Sequence, residues 1–208
     1  MSQTLRANAL PDLLALVPYR MGFEPTASIV ALEFAAADEA SPEHRKVGII
    51  ARADLPPGGS EEVVERASRD CIRALTDWMP RHDVRALMLV VYDNGASDGA
   101  SAPGDPVTAA SSPALSHPAA VTVRTARTHL ARLGIDVLDV VLVGADSFRS
   151  LDCADERCCP LSGRSLAAVR ASAMHAEAVG LGMSARTTRE QLAPDESPLP
   201  APARAARP

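Results

Sequence analysis

Three of the four cysteines of this chain, Cys153, Cys158 and Cys159, fall within seven residues, and the segment closes on Pro160 and Gly163. Thiols this close in sequence can ligate a soft metal ion, cycle between dithiol and disulfide, or supply a nucleophile. For a metal, the C-x4-C spacing of Cys153 and Cys158 with the adjacent Cys159 offers three thiolates. Structural zinc takes four ligands. The fourth would come from Asp152, Asp155, Glu156 or His175, since no second Cys/His cluster exists. For redox chemistry, Cys153 and Cys158 would need Cα atoms roughly 4.4–6.8 Å apart. For nucleophilic chemistry, Arg157 or the start of a following helix would activate one thiol. The five histidines, His44, His82, His117, His129 and His175, are scattered and none stands close by as a base. A fourth reading has the three cysteines simply packing under a tight Pro/Gly-capped loop, and it asks least of the sequence.

A second constellation is the pair Arg52 and Asp54. On a strand, residues two apart share a face. There they form either an anion- or substrate-orienting pair at a strand edge or a salt bridge that pins the following Pro56-Pro57-Gly58-Gly59 turn. Asp93 and Asp146 follow apolar, strand-like runs, where catalytic carboxylates often sit. Ser28 lacks the G-x-S-x-G elbow of a serine nucleophile. Neither a P-loop nor a strand-linked G-x-G-x-x-G is present, so the standard nucleotide cradles are absent.

The elements that must position these residues read as alternating helices and strands. Residues 9–17 suit a short helix with Pro11 in its first turn and Pro18 at its end. Ser28 to Phe34 and Val47 to Ala53 read as two strands of an antiparallel hairpin. Ser60 caps a helix whose apolar stripe runs Val64, Ala67, Cys71, Leu75, Trp78 and stops at Pro80. Val84 to Tyr92 is continuously apolar enough to be a strand buried on both faces. Residues 94–118 are dominated by Gly, Ala, Ser, Pro and Asp and read as a disordered insertion. A helix over Ala119 to Leu133 follows, with Val123, Ala126, Leu130 and Leu133 inward, then a buried strand over Val137 to Gly144. The cysteine segment leads to a helix over Arg164 to Val179 and a short turn near Thr188 to Leu192. The tail over 193–208 is Pro- and Ala-rich and reads as disordered. The order α-β-β-α-β-α-β-α predicts a single α/β domain over 1–192, with a mixed sheet covered by helices.

Composition narrows the function classes. At 208 residues the chain can bury one ordinary core, built mainly from aliphatic side chains because aromatics make up only 3%. The net charge of −5 argues against a general nucleic-acid binder. Only Lys46 among the 21 basic residues is a lysine, a bias that fits a GC-rich genome better than a need for guanidinium. No run approaches the ~20 apolar residues that span a bilayer. The first residues lack a signal-peptide pattern. A cytoplasmic location follows as the expectation, with thiols kept reduced.

Several of these segments together resemble a bacterial family, domain of unknown function 4192 (DUF4192). The opening stretch has Pro18 followed by Gly22-Phe23-x-Pro25-x-x-Ser28, as the family does ahead of its first strand. Arg52-x-Asp54-Leu55-Pro56 matches the family's Arg-x-Asp-Leu-Pro, and Cys153-x4-Cys158-Cys159-Pro160-x2-Gly163 matches its cysteine motif. Thr188-Arg189-Glu190-Gln191-Leu192 fits the ending. The chain departs from the family before the cysteine loop, where a Trp/Tyr-Trp pattern is replaced by Asp146-Ser147-Phe148-Arg149-Ser150 with one aromatic. The resemblance implies no activity, substrate or cofactor. The expectation is therefore a small ligand- or partner-binding or regulatory module. Its surface would join Arg52 and Asp54 to the cysteine loop, with zinc as the candidate cofactor and a protein as a candidate partner. The alternative is an enzyme using a thiol or thiolate-bound metal at that same surface.

Overall fold

A six-stranded mixed sheet in the order β2-β1-β3-β4-β5-β6 carries the molecule. A computed structural model describes residues 7, 9–36, 45–94 and 114–192. The elements are α1 (Leu10–Met21), β1 (Ser28–Ala36), β2 (Arg45–Asp54), α2 (Glu61–Thr76), a 3-10 turn at Met79–Arg81, β3 (Ala86–Tyr92), α3 (His117–Arg132), β4 (Asp136–Val143), β5 (Ser147–Ser150), β6 (Arg164–Ser165), α4 (Ala167–Arg170), α5 (Ala173–Gly180) and a 3-10 turn at Arg189–Leu192. β1 and β2 form the expected antiparallel hairpin. β3 lies antiparallel to β1 and parallel to β4, while β5 and β6 continue antiparallel beyond β4.

The two crossovers, β2-α2-β3 and β3-α3-β4, step in the same direction along the sheet. With a common hand, both helices must land on one face. They do: Ile29, Ala31, Leu87, Leu89 and Val91 pack against Ile72, Leu75, Ala126 and Leu130 of α2 and α3. The alternate residues Val30, Leu32, Met88, Val90 and Tyr92 face the other way, against Leu14 and Val17 of α1. Strand periodicity thus divides one sheet between two apolar layers. All seven residues of β3 are buried, as its continuous apolar character demands.

The structure shifts several expected boundaries. α1 runs through Pro18 to Met21, because a proline forfeits only its own N–H and Gly22 ends the helix instead. Gly22 sits at φ +83° and donates its N–H to the Pro18 carbonyl at 2.7 Å. The buried stripe of α2 is Val64, Ser68, Ile72 and Leu75, rotated from the expected one so that Ala67 and Cys71 lie at its margin. Ser68 tolerates full burial because its hydroxyl pairs with the Thr122 hydroxyl of α3 at 2.9 Å. Leu133 caps α3 and is exposed rather than inward. Only the second half of β4 is buried, since β5 pairs with Val141 to Val143 and leaves the first half as an edge.

The helix expected over Arg164 to Val179 is three elements: β6, α4 and α5. Ser172 caps α5 by accepting from the His175 N–H at 3.3 Å, which starts a new helix rather than extending the old one. Of the expected insertion over 94–118, residues 95–113 lie outside the described residues, as does the tail over 193–208. The insertion's far end is ordered earlier than expected: Ser116 caps α3, and its N–H and hydroxyl both donate to the Asp93 carboxylate at 2.6 and 3.0 Å. Asp93 is therefore a clasp between the end of β3 and the start of α3.

Candidate functional site

The cysteine loop is the connection of a hairpin, from β5 to β6, rather than a strand-to-helix junction. β5 escaped the sequence reading because its four residues alternate polar and apolar with a single aromatic. That aromatic, Phe148, is fully buried and anchors the hairpin to the face that carries α1.

The loop is held by its own polar groups. The Ser150 hydroxyl accepts the N–H groups of Asp152 and Cys153 at 3.2 and 3.0 Å. The Asp155 carbonyl accepts from both Cys158 and Cys159, at 3.1 and 2.7 Å, and its carboxylate accepts the Arg157 N–H at 2.9 Å. Asp152 is ion-paired to Arg127 of α3 at 2.5 Å and accepts the Val140 N–H at 3.1 Å. At the return, Gly163 takes φ +76°, and a Cβ there would lie 3.0 Å from Ser147 and 3.1 Å from the Phe148 carbonyl oxygen. Only glycine fits that approach.

This scaffold brings the Sγ atoms of Cys153, Cys158 and Cys159 within 4.8 Å of one another. The Cys158 and Cys159 sulfurs are 3.8 Å apart. Two thiolates on one tetrahedral zinc, each at a bond length of about 2.3 Å, stand about 3.8 Å apart. The three cysteines could therefore hold a metal ion. All three are free thiols; Cys158 is exposed and the other two half-buried. None belongs to an apolar core cluster. Burial and the thiols of Cys153 and Cys158 push Cys159 up to about 12.

Among the described residues no carboxylate or histidine completes the set. His175 lies elsewhere, hydrogen-bonded to the Tyr19 hydroxyl at 2.9 Å. The fourth cysteine, Cys71, stands apart on α2: its thiol donates to the Asp54 carbonyl at 3.2 Å, and burial, aided by the Asp54 charge, pushes it up to about 11.

Arg52 and Asp54 occupy the other side of the molecule. β2 and β5 stand four strand spacings apart, about 19 Å. The loop also leaves β5 at Ser150, opposite Val141, away from the carboxyl end of β4. The structure does not join the pair to the cysteines, and neither of the two main cavities is lined by Cys153, Cys158 or Cys159.

What the pair does join is the rest of the sequence motifs. Arg52 donates through Nη2 to Asp54 at 2.5 Å and to the Thr26 carbonyl at 3.3 Å, and its guanidinium lies 5.6 Å from the Phe23 ring centre. Its side chain is only 13% exposed, and Nε is buried without a partner among the described residues. Ser28 is fully buried and its hydroxyl has no partner among the described residues, so it is no exposed nucleophile. The chain near its end returns to this corner: Arg186 exchanges backbone bonds with Gly22 and Glu24 at 2.7 and 2.9 Å. Thr188, Arg189 and Glu190 then line a cavity of about 300 Å³ with Phe23, Thr26 and Arg52.

The model of one family, described as a domain of unknown function (DUF4192), matches residues 11–207. The chain belongs to this family. Neither the curated proteins nor the solved structures contain a match. Of the four DUF4192-like segments, three meet at one end of the sheet and the cysteine loop stands alone. Asp146, the remaining strand-end carboxylate, is exposed and lines neither cavity. No helix among the described residues is long and apolar enough to cross a membrane.

Proposed function

We propose that this DUF4192 protein is a small binding module in which Cys153, Cys158 and Cys159 hold one zinc ion. The observation that carries the reading is the mutual approach of the three sulfurs to within 4.8 Å. A triangle of that side has its centre about 2.8 Å from each corner, so a contraction of about half an ångström reaches the zinc–sulfur bond length. The loop's internal hydrogen bonds keep the thiols together, so little ordering remains to be done on binding. Arg127 is ion-paired to Asp152 and Arg149 donates to the Leu161 carbonyl, contacts that help fix the loop.

Three protein ligands leave the fourth position to water or to a group from a partner, the pattern of an open rather than a closed zinc site. In a reducing cytoplasm the thiols stay available to the ion. An enzyme joining this loop to Arg52 and Asp54 has their separation against it. The Arg52 corner is instead a motif-built support for the cavity beside it.

The test is metal content. Protein purified with reductant is loaded with zinc, dialysed and measured for bound metal, and loaded in parallel with cobalt to read the absorption of tetrahedral thiolate coordination. One equivalent, lost in Cys158→Ser and retained in Cys71→Ser, supports the proposal. Substoichiometric metal in a folded protein, or a disulfide among the three cysteines that survives mild reductant, overturns it.

A further inference from the structure

A second cavity, about 310 Å³, lies beyond the carboxyl ends of β3 and β4, and it was not apparent in the sequence. These are the sheet's parallel neighbours, and the chain leaves them in different directions, into α3 and into β5. Ligands of open α/β sheets bind at such divergences. Side chains reach the cavity from well-separated parts of the chain: Tyr19 on α1, Glu24 in the following turn, Asn94 after β3, Arg170 on α4 and His175 on α5.

Its walls are mixed. Leu14, Val143, Leu166 and Val169 give an apolar side, and Leu166 and Val169 also pack against the core layer beneath. The polar side carries one guanidinium, Arg170, and one carboxylate, Glu24. Both are exposed, and neither has an ion pair or side-chain hydrogen bond among the described residues. Tyr19 and His175 are bonded to each other, and the Asn94 carbonyl oxygen accepts from the Ala27 N–H at 3.3 Å. Tyr92 also lines the cavity, where burial and the nearby Glu24 charge raise its pKa and keep the phenol protonated as a donor.

Two opposite charges facing one cavity, unpaired among the described residues, set the chemistry of what fills it. A ligand occupying the space covers both. A neutral or singly charged ligand would then leave at least one of them desolvated and unmatched. At about 310 Å³ the space stands at the small end of ligand pockets and suits a small organic molecule. We propose that this cavity binds a small aliphatic zwitterion of the α-amino-acid class, its carboxylate on Arg170, its ammonium on Glu24 and its side chain on the apolar wall. The site is independent of the cysteine loop.

Calorimetric titration of the full chain with leucine, glycine, 4-methylpentanoate and 3-methylbutylamine separates these contributions. The last two are leucine without its ammonium and without its carboxylate. Leucine is expected to bind with one-to-one stoichiometry, and glycine and both truncated compounds at least tenfold more weakly. Glu24→Gln should abolish the preference for leucine over 4-methylpentanoate, and Arg170→Gln the preference over 3-methylbutylamine. Both residues are exposed, so unchanged thermal melting verifies the fold of each variant. Equal affinity for leucine and 4-methylpentanoate, or no heat and no thermal shift with any of the four, overturns the proposal.

Discussion

The cysteine loop and the crevice at the carboxyl end of the sheet are built on opposite plans. The loop is local: seven residues supply every thiol, and its neighbours Ser150, Asp155 and Gly163 supply the hydrogen bonds and the turn. The crevice is convergent: its side chains come from α1, the turn after it, the end of β3, α4 and α5, more than 150 positions apart at the extremes. A local site can persist while distant parts of the fold loosen. A convergent one exists only when the sheet and α1, α4 and α5 are assembled together.

That contrast can be tested by disturbing each region in turn. The largest effect is expected from Phe148→Ala, which empties a fully buried position under β5 and should lower unfolding stability by about 3–5 kcal/mol in urea titration. Because Phe148 sits between both regions, zinc loading and crevice binding should weaken together. A loss confined to one of them would break the comparison.

Gly163→Ala comes next. The left-handed backbone alone costs about 1–2 kcal/mol, and contacts at 3.0 Å to Ser147 and 3.1 Å to the Phe148 backbone add to it. Zinc affinity should fall while crevice binding is retained. The control is Gly22→Ala, on the crevice side: it has a similar φ but meets only the flexible Leu192 side chain at 3.4 Å, so the smaller loss belongs there. Asp93→Ala removes the clasp on the α3 cap and should cost about 1 kcal/mol without altering zinc stoichiometry.

The smallest effect concerns Cys71. Its folded pKa, about 11, lies above the ordinary value of 9.0, so the folded state favours the neutral thiol. Its contribution to stability is complete below about pH 9, because the unfolded chain loses this proton first as pH rises, and it is lost as pH climbs through about 11. The difference in unfolding free energy between the parent chain and Cys71→Ala should therefore shrink across that window. At pH 8, Cys71 should react more slowly with a small alkylating reagent than the exposed Cys158. Labelling of Cys71 as fast as Cys158 would contradict its placement.

The sequence made the local site legible and the convergent one only in fragments. Cysteine spacing announced the loop, and short apolar, β-branched runs announced β1, β2 and β3, because both signals live within a few residues. The β5-β6 hairpin was hidden by its brevity: its pairing is set by Phe148 reaching a core that the four-residue segment does not reveal. The break between α4 and α5 was hidden because Ser172 looks like any other helix-compatible residue until its hydroxyl caps a new turn. Tyr19, Arg170 and His175 carried no motif. Their meeting depends on α4 and α5 folding back against α1, a long-range outcome of packing. Arg52 and Asp54 were correctly read as one face, yet only the structure shows that their neighbours are Phe23 and Thr26 and not the cysteines.

In the proposed site the three thiols act as one ligand set. Zinc per chain, measured on reduced, dialysed protein alongside Cys158→Ser and Cys71→Ser, tests it directly. One equivalent in the parent and in Cys71→Ser, with none in Cys158→Ser, is the expected result. Equal zinc in parent and Cys158→Ser, or no bound zinc in a folded parent, would contradict it.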